Sequence, residues 1–152
     1  MIGLWVLLGA VLLAVVVGVA LRRRSGTVRA VAASPGDEQL ATLLAEAGLP
    51  DATAAPILLH FSASWCGPCA GVRQVVSQLA GELPWLAHLE VDVAEHPQLA
   101  AHLRVLSLPT VLVYGSGLQQ RFRVAGAPSA AELRVVLRSL SDGGAEADPG
   151  AG

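Results

Sequence analysis

Two cysteines stand three apart in Cys66-Gly67-Pro68-Cys69, and the 152-residue chain has no others. Such a pair can work as a redox dithiol. One sulfur attacks a disulfide as the thiolate, and the other resolves the mixed disulfide by closing a small ring. A disulfide scaffold would need more cysteines at wider intervals. A four-ligand zinc site would need partners, and His60, His88, His96 and His102 supply no second pair at the usual interval. Taken alone, the pair is also compatible with half of a metal site or with two packed core residues.

The flanking sequence favours the redox chemistry. Residues 57–62 (Ile-Leu-Leu-His-Phe-Ser) form a short apolar run that predicts a buried strand. Residues 67–83 place Val72, Val75, Val76, Leu79 and Leu83 on one helical face, ended by Pro84. The dithiol therefore falls at a helix N-terminus, where free N–H groups and about half a positive charge favour a thiolate. Only the thiolate attacks disulfides, so Cys66 is the expected nucleophile. Cys69, expected one turn further in, is the resolving thiol. Pro68 suits the first turn, where its missing N–H costs little. Gly67 would let a substrate chain approach closely.

The elements around this unit read as an α/β domain. A helix is expected over 37–48, with Leu40, Leu43 and Leu44 aligned and Gly48 as its stop. Residues 86–93 predict a strand, and 97–103 a short helix with Pro97 in its first turn. Residues 110–114 and 119–124 predict a hairpin around Gly115-Ser116-Gly117. Ser129 and Glu132 form a capping box for a last helix over 129–140. The order implies a mixed sheet flanked by helices, with parallel crossovers first and an antiparallel hairpin last.

Outside this domain, residues 2–21 carry no charge and are long enough to cross a bilayer as a helix. Trp5 stands where an interfacial aromatic would sit. A cleaved signal peptide is the rival, but it wants a positive n-region, and only Met1 precedes the apolar run. Arg22, Arg23 and Arg24 follow at once and read as a stop-transfer signal. The expected organisation is a transmembrane helix over 2–21, a linker over 22–36, a domain over 37–140 and a disordered tail over 141–152. Within the linker, residues 28–32 have a short edge strand as their alternative. The arginines lie after the helix, so the positive-inside rule places the main domain on the cytoplasmic side, with the extracytoplasmic side as the alternative.

Net charge is −2, and all ten basic residues are arginine, four of them between positions 22 and 29. No basic stripe is left for a nucleic-acid partner. No cofactor or metal is implied.

Trp65-Cys66-Gly67-Pro68-Cys69 after an apolar strand resembles the thioredoxin superfamily, over 37–140. Ser107-Leu108-Pro109-Thr110 is similar to a second landmark, a cis-proline that opens a strand beside the active site. The resemblance implies a thioredoxin fold and thiol–disulfide oxidoreductase activity. It makes Pro109 cis, has the Leu108 backbone pair with an extended substrate, and places Gly126 at the substrate groove beside Trp65, Gly67, Pro68 and Thr110. Gly117 also fits the pattern, although a plain turn explains it as well. The implied partners are a disulfide-containing protein substrate, a reductase or membrane electron donor, and lipid around the N-terminal helix. The Gly-Pro pair resembles the reducing members, whose potentials lie near about −270 mV.

Two departures stand out. Many thioredoxins carry a buried Asp six residues before the first cysteine, with a Lys beside it. Here those positions hold His60 and His88, which makes His60 a candidate base for Cys69. Residues 61–65 (Phe-Ser-Ala-Ser-Trp) look more like the membrane-tethered, TlpA-like branch, whose members usually face outward. A non-catalytic adaptor on the same fold, or metal handling through the two thiols, are the competing functions.

Overall fold

The computed structural model describes residues 2–24, 28–30, 38–49, 51–52 and 56–143. Helix α1 (Ile2–Arg24) precedes strand β1 (Val28–Ala30) and helix α2 (Glu38–Glu46). Then come β2 (Ile57–Ser62), α3 (Cys69–Glu82), β3 (Ala87–Asp92), α4 (Pro97–His102), β4 (Thr110–Gly115), β5 (Gln119–Ala125) and α5 (Ala130–Gly143). The five strands form one sheet in the order β1-β5-β4-β2-β3. Only β2 and β3 run parallel; the other neighbours are antiparallel. This is the mixed sheet that the element order predicts.

Alternation along the strands divides the core into two layers, because successive side chains point to opposite faces. Ile57, Leu59 and Phe61 of β2 join Val91, Leu112 and Tyr114 under α2 and α4. Leu58 joins Val111, Val113 and Val124 under α3 and α5, whose Val72, Val76, Leu133 and Leu137 complete that layer. All six side chains of β2 are buried, as a central strand covered on both faces requires. The capping box forms as expected. The Ser129 N–H and hydroxyl both donate to Glu132 Oε2, at 2.9 and 2.6 Å, and the Glu132 N–H returns a bond to Ser129 Oγ at 3.3 Å.

Four differences from the sequence-based expectations have local causes. Residues 28–30 are a strand rather than linker, held by backbone pairing to β5 from Val28↔Val124 to Ala30↔Phe122. Three residues carry too little pattern to announce a strand; the open edge of β5 decides it. Helix α3 begins at Cys69, so the resolving thiol is the first helical residue instead of lying one turn inside, and Pro68 is the N-cap. The hairpin turn over 116–118 is a single 3₁₀ turn, with Gly117 at φ 68°. Residues 141–143 extend α5 rather than opening the tail. Residues 144–152 and most of the expected linker lie outside the described residues.

Helix α1 has 23 residues and no acidic residue in its first turn. Its large side chains, from Trp5 at 74% to Val19 at 46%, are exposed. Among the described residues no helix is long and apolar enough to cross a membrane.

Candidate active site

Strand β2 delivers the chain to the dithiol. After Ser62 the backbone turns, and the Cys66 N–H donates to the carbonyl of Ala63 at 3.0 Å. Gly67 and Pro68 complete the turn, and the Cys69 N–H donates to the Cys66 carbonyl at 3.2 Å. Cys66 and Cys69 are joined by a disulfide with an S–S distance of 2.04 Å. Their exposures differ. Cys66 is half-buried, whereas Cys69 shares the inward stripe of α3 with Val72, Val76 and Leu79 and is 1% exposed. An attacking group must be reached by substrate and a resolving group need not be, so the asymmetry fits Cys66 as nucleophile and Cys69 as resolving thiol. Gly67 is exposed, and a Cβ there would meet nothing within 4 Å. Its small size therefore answers no need of the free protein.

Strand β4 brings the second landmark to the same end of the sheet. β2 and β4 are antiparallel, and Phe61 pairs with Thr110. The residue before Thr110 is Pro109, and the Leu108–Pro109 bond is cis. Thr110 is buried and its hydroxyl donates to the Ser107 carbonyl at 2.7 Å, closing the turn. Thr110 also pairs with Ala125 of β5. One residue on, the Gly126 N–H donates to the Pro109 carbonyl at 2.8 Å, and Gly126 sits at φ 103°, a left-handed conformation that favours glycine. The strand ends thus gather Cys66, Pro109 and Gly126 at one edge, with Trp65 exposed beside them.

Beneath α3 the sheet carries a polar lane. His60 lies on the α3 face of β2 and is fully buried, and neither ring nitrogen has a hydrogen-bond partner among the described residues. Burial holds its pKa down to about 4, against an upward pull from Glu90, with His88 and Arg73 adding to the depression. Glu90 pairs in register with His60. Arg73 of α3 grips its carboxylate at 2.7 Å through Nε and 2.6 Å through Nη2, and the Ser62 hydroxyl donates to Oε1 at 2.7 Å. The Arg73 bonds are the main reason that Glu90 titrates near 2, with burial working against them. His88 is half-buried with Nε2 unpartnered among the described residues, and burial lowers its pKa as well. His60 occupies the position where the resemblance placed an acid, but its partner on β3 is Glu90, whereas His88, expected there, pairs with Leu58 two positions earlier. Glu90 and Arg73 were not anticipated. Their signal in sequence was only an acidic residue alternating with His88 along a strand, and a strand pattern does not show its neighbours.

Among the described residues no group of three or more His, Cys, Asp and Glu side chains could hold a metal ion. The two thiols would be the ligands left to any metal-handling role.

The thioredoxin family model matches residues 47–139, which include the dithiol, the cis-proline and strands β2 to β5. The chain belongs to the thioredoxin family. It is 30% identical over 120 residues to a chloroplastic M-type thioredoxin of Chlamydomonas reinhardtii, covering 78% of this chain and 81% of that one. It is 38% identical over 90 residues to a thioredoxin of Mycolicibacterium smegmatis, covering 57% and 77%. Among solved structures, Fasciola hepatica thioredoxin superposes with a TM-score of 0.54 at 29% identity, over 65% of this chain and 88% of that one. With its close-set cysteine pair, the thioredoxin domain is a thiol–disulfide oxidoreductase.

Proposed function

We propose that the chain is a membrane-anchored thioredoxin that reduces disulfides in other proteins and is recharged by a reductase or a membrane electron donor. The observation that carries the reading is the pairing of an exposed-side Cys66 with a buried Cys69 at the start of α3, opposite cis-Pro109. Reduction, rather than oxidation, is favoured by the Gly-Pro pair between the cysteines.

The anchor rests on the N-terminal segment. Twenty uncharged residues at 2–21 precede Arg22 to Arg24, they fall within one helix, and its large side chains are exposed over the described stretch. Lipid is the environment that would cover such side chains. The arginines put the domain on the cytoplasmic side. The TlpA-like placement rests on residues 61–65 and this helix together.

In the reaction, the Cys66 thiolate attacks a substrate sulfur and forms a mixed disulfide. Cys69 then attacks the Cys66 sulfur and releases the substrate dithiol. The Leu108 backbone pairs with the extended substrate beside Trp65 and Gly126. His60 takes the proton of Cys69. It is uncharged at neutral pH; burial, which holds its pKa down to about 4, works against the imidazolium that results, and the Glu90 carboxylate offsets part of that cost.

Insulin reduction by the full chain in detergent with a dithiol reductant tests the activity. The expected outcome is turnover that falls to background in Cys66→Ser; no turnover by folded wild type would sink the reading. A His60→Ala chain with an unaltered pH–rate profile would remove His60 from proton transfer. A reporter fused at the C-terminus tests the side: fluorescence inside supports the cytoplasmic placement, and phosphatase activity outside reverses it. If Cys66→Ser preserved the cellular phenotype, the adaptor role would replace the enzymatic one.

A further inference from the structure

The path by which the N-terminal segment joins the sheet bears on which disulfides the site can reach. β5 ends at the dithiol edge, since Ala125 pairs with Thr110 and the Gly126 N–H bonds to the Pro109 carbonyl. β1 is antiparallel to β5, and its first residue, Val28, pairs with Val124. The chain therefore joins the sheet at the dithiol edge and runs away from it toward Ala30↔Phe122. Helix α1 ends at Arg24, four Cα steps before Val28. A trans chain spans at most about 15 Å in four steps.

Across the sheet, β1 and β2 are separated by β5 and β4. Three strand spacings amount to about 14 Å. The dithiol stands just past the end of β2, so it lies within about 30 Å of the end of α1, on the side from which the helix arrives. A tether this short holds the near edge of the domain closer to the helix than the far edge, where the 116–118 turn lies. The surface agrees. Outside α1, the large apolar side chains exposed among the described residues are Trp65 at 75%, Leu106 at 94% and Val135. Trp65 adjoins Cys66 and Leu106 lies three residues before Pro109, so two of these three border the dithiol. Exposed tryptophan is at home in the headgroup region of a bilayer.

We infer that the dithiol edge faces the membrane, and that the substrates are disulfides of membrane-attached proteins held within about 3 nm of the bilayer surface. This rests on the anchored reading above. In each turnover two electrons and two protons pass from the Cys66/Cys69 dithiol to the substrate disulfide. The substrate leaves as two thiols, and the chain is left with the Cys66–Cys69 bond seen here.

The test uses the full chain in phosphatidylcholine/phosphatidylglycerol liposomes, pre-reduced and freed of reductant, in a single turnover. Two lipid-linked peptide disulfides serve as substrates, held about 1 nm or about 8 nm above the surface by a short or a long semi-rigid helical spacer. The near disulfide is expected to react about tenfold faster, because the short tether concentrates the dithiol at that height. Inserting a flexible 30-residue Gly/Ser segment, with a reach of about 3 nm, between Gly26 and Thr27 is expected to shrink the preference while leaving the rate with soluble insulin unchanged. Equal rates at both heights, or a preference that the insertion does not reduce, overturn the inference. Alkaline carbonate extraction separates the failures. A chain that stays in the liposomes without a height preference leaves the anchor standing and removes only this inference, whereas a chain that washes off removes both.

Discussion

The two faces of the central sheet are built from the same strands and do different work. On the α2/α4 side, β2 contributes Ile57, Leu59 and Phe61 to a largely apolar layer. On the α3 side, the intervening positions Leu58, His60 and Ser62 meet His88 and Glu90 of β3. The first face returns stability for its burial. The second gives some of it up, because burying His60 without a hydrogen-bond partner among the described residues costs free energy that an apolar residue would not. The costly face is the one covered by the helix that begins at Cys69. The comparison teaches that, among the described residues, the buried polar side-chain atoms without a partner lie on one side, next to the sulfur chemistry, while the fold rests on the other.

Breaking the apolar side should cost the most. Phe61 is fully buried, and Phe61→Ala is expected to lower stability by about 3–5 kcal/mol in denaturant unfolding, with the rate of disulfide reduction by the remaining folded protein little altered. A loss under 1 kcal/mol would mean that this layer is not the main support.

Acid should expose the polar side. His60 takes up its proton near 6.5 when unfolded and near 4 when folded. Between those values the unfolded chain binds more protons, so stability falls as pH falls, by about 3 kcal/mol from 6.5 to 4. Glu90, lowered from 4.5 to about 2, adds a second loss below pH 4.5 in the same direction. His60→Leu should shrink the loss in the upper window, where the depressed His88 also contributes, and leave the lower one; a wild-type stability that is level from pH 6.5 to 4 would refute the depressed histidine.

A smaller effect is expected for Arg73→Ala. The ion pair is partly solvated, with Arg73 51% and Glu90 27% exposed, so its loss should cost little stability. The sharper readout is the Glu90 titration, which should move up from about 2 toward 4.5 by NMR. A Glu90 that still titrates near 2 would show that Ser62 and the strand hold it without the arginine. Smallest of all is Gly67→Ala, expected to leave stability within about 0.5 kcal/mol because the site is open. Any change should fall on KM for protein substrates, and an unaltered KM would remove Gly67 from the contact surface.

Much of this was legible in the residues. The strand at 57–62, the capping box at Ser129 and Glu132, the hairpin and the cysteine pair each depend on a few neighbouring residues, and local periodicity and capping report such features directly. Cys66 and Cys69 were placed from position in that pattern, and Pro109 and His60 from resemblance to a known family. What the chain could not announce was pairing at a distance. β1 has three residues and exists because the edge of β5 accepts them. The Arg73–Glu90 pair joins residues 17 apart, on a helix and a strand. The edge at which the N-terminal segment meets the sheet was equally hidden.

The sequence by itself determined the reactive pair, the elements that carry it and the apolar N-terminal segment, since spacing and periodicity are properties of the chain. Tertiary structure alone decided which sulfur is shielded, that His60 is sealed beneath α3 without a partner among the described residues, and that the chain joins the sheet beside the dithiol. Each of these depends on which surfaces close against one another, and burial is a property of the closed structure rather than of any segment within it.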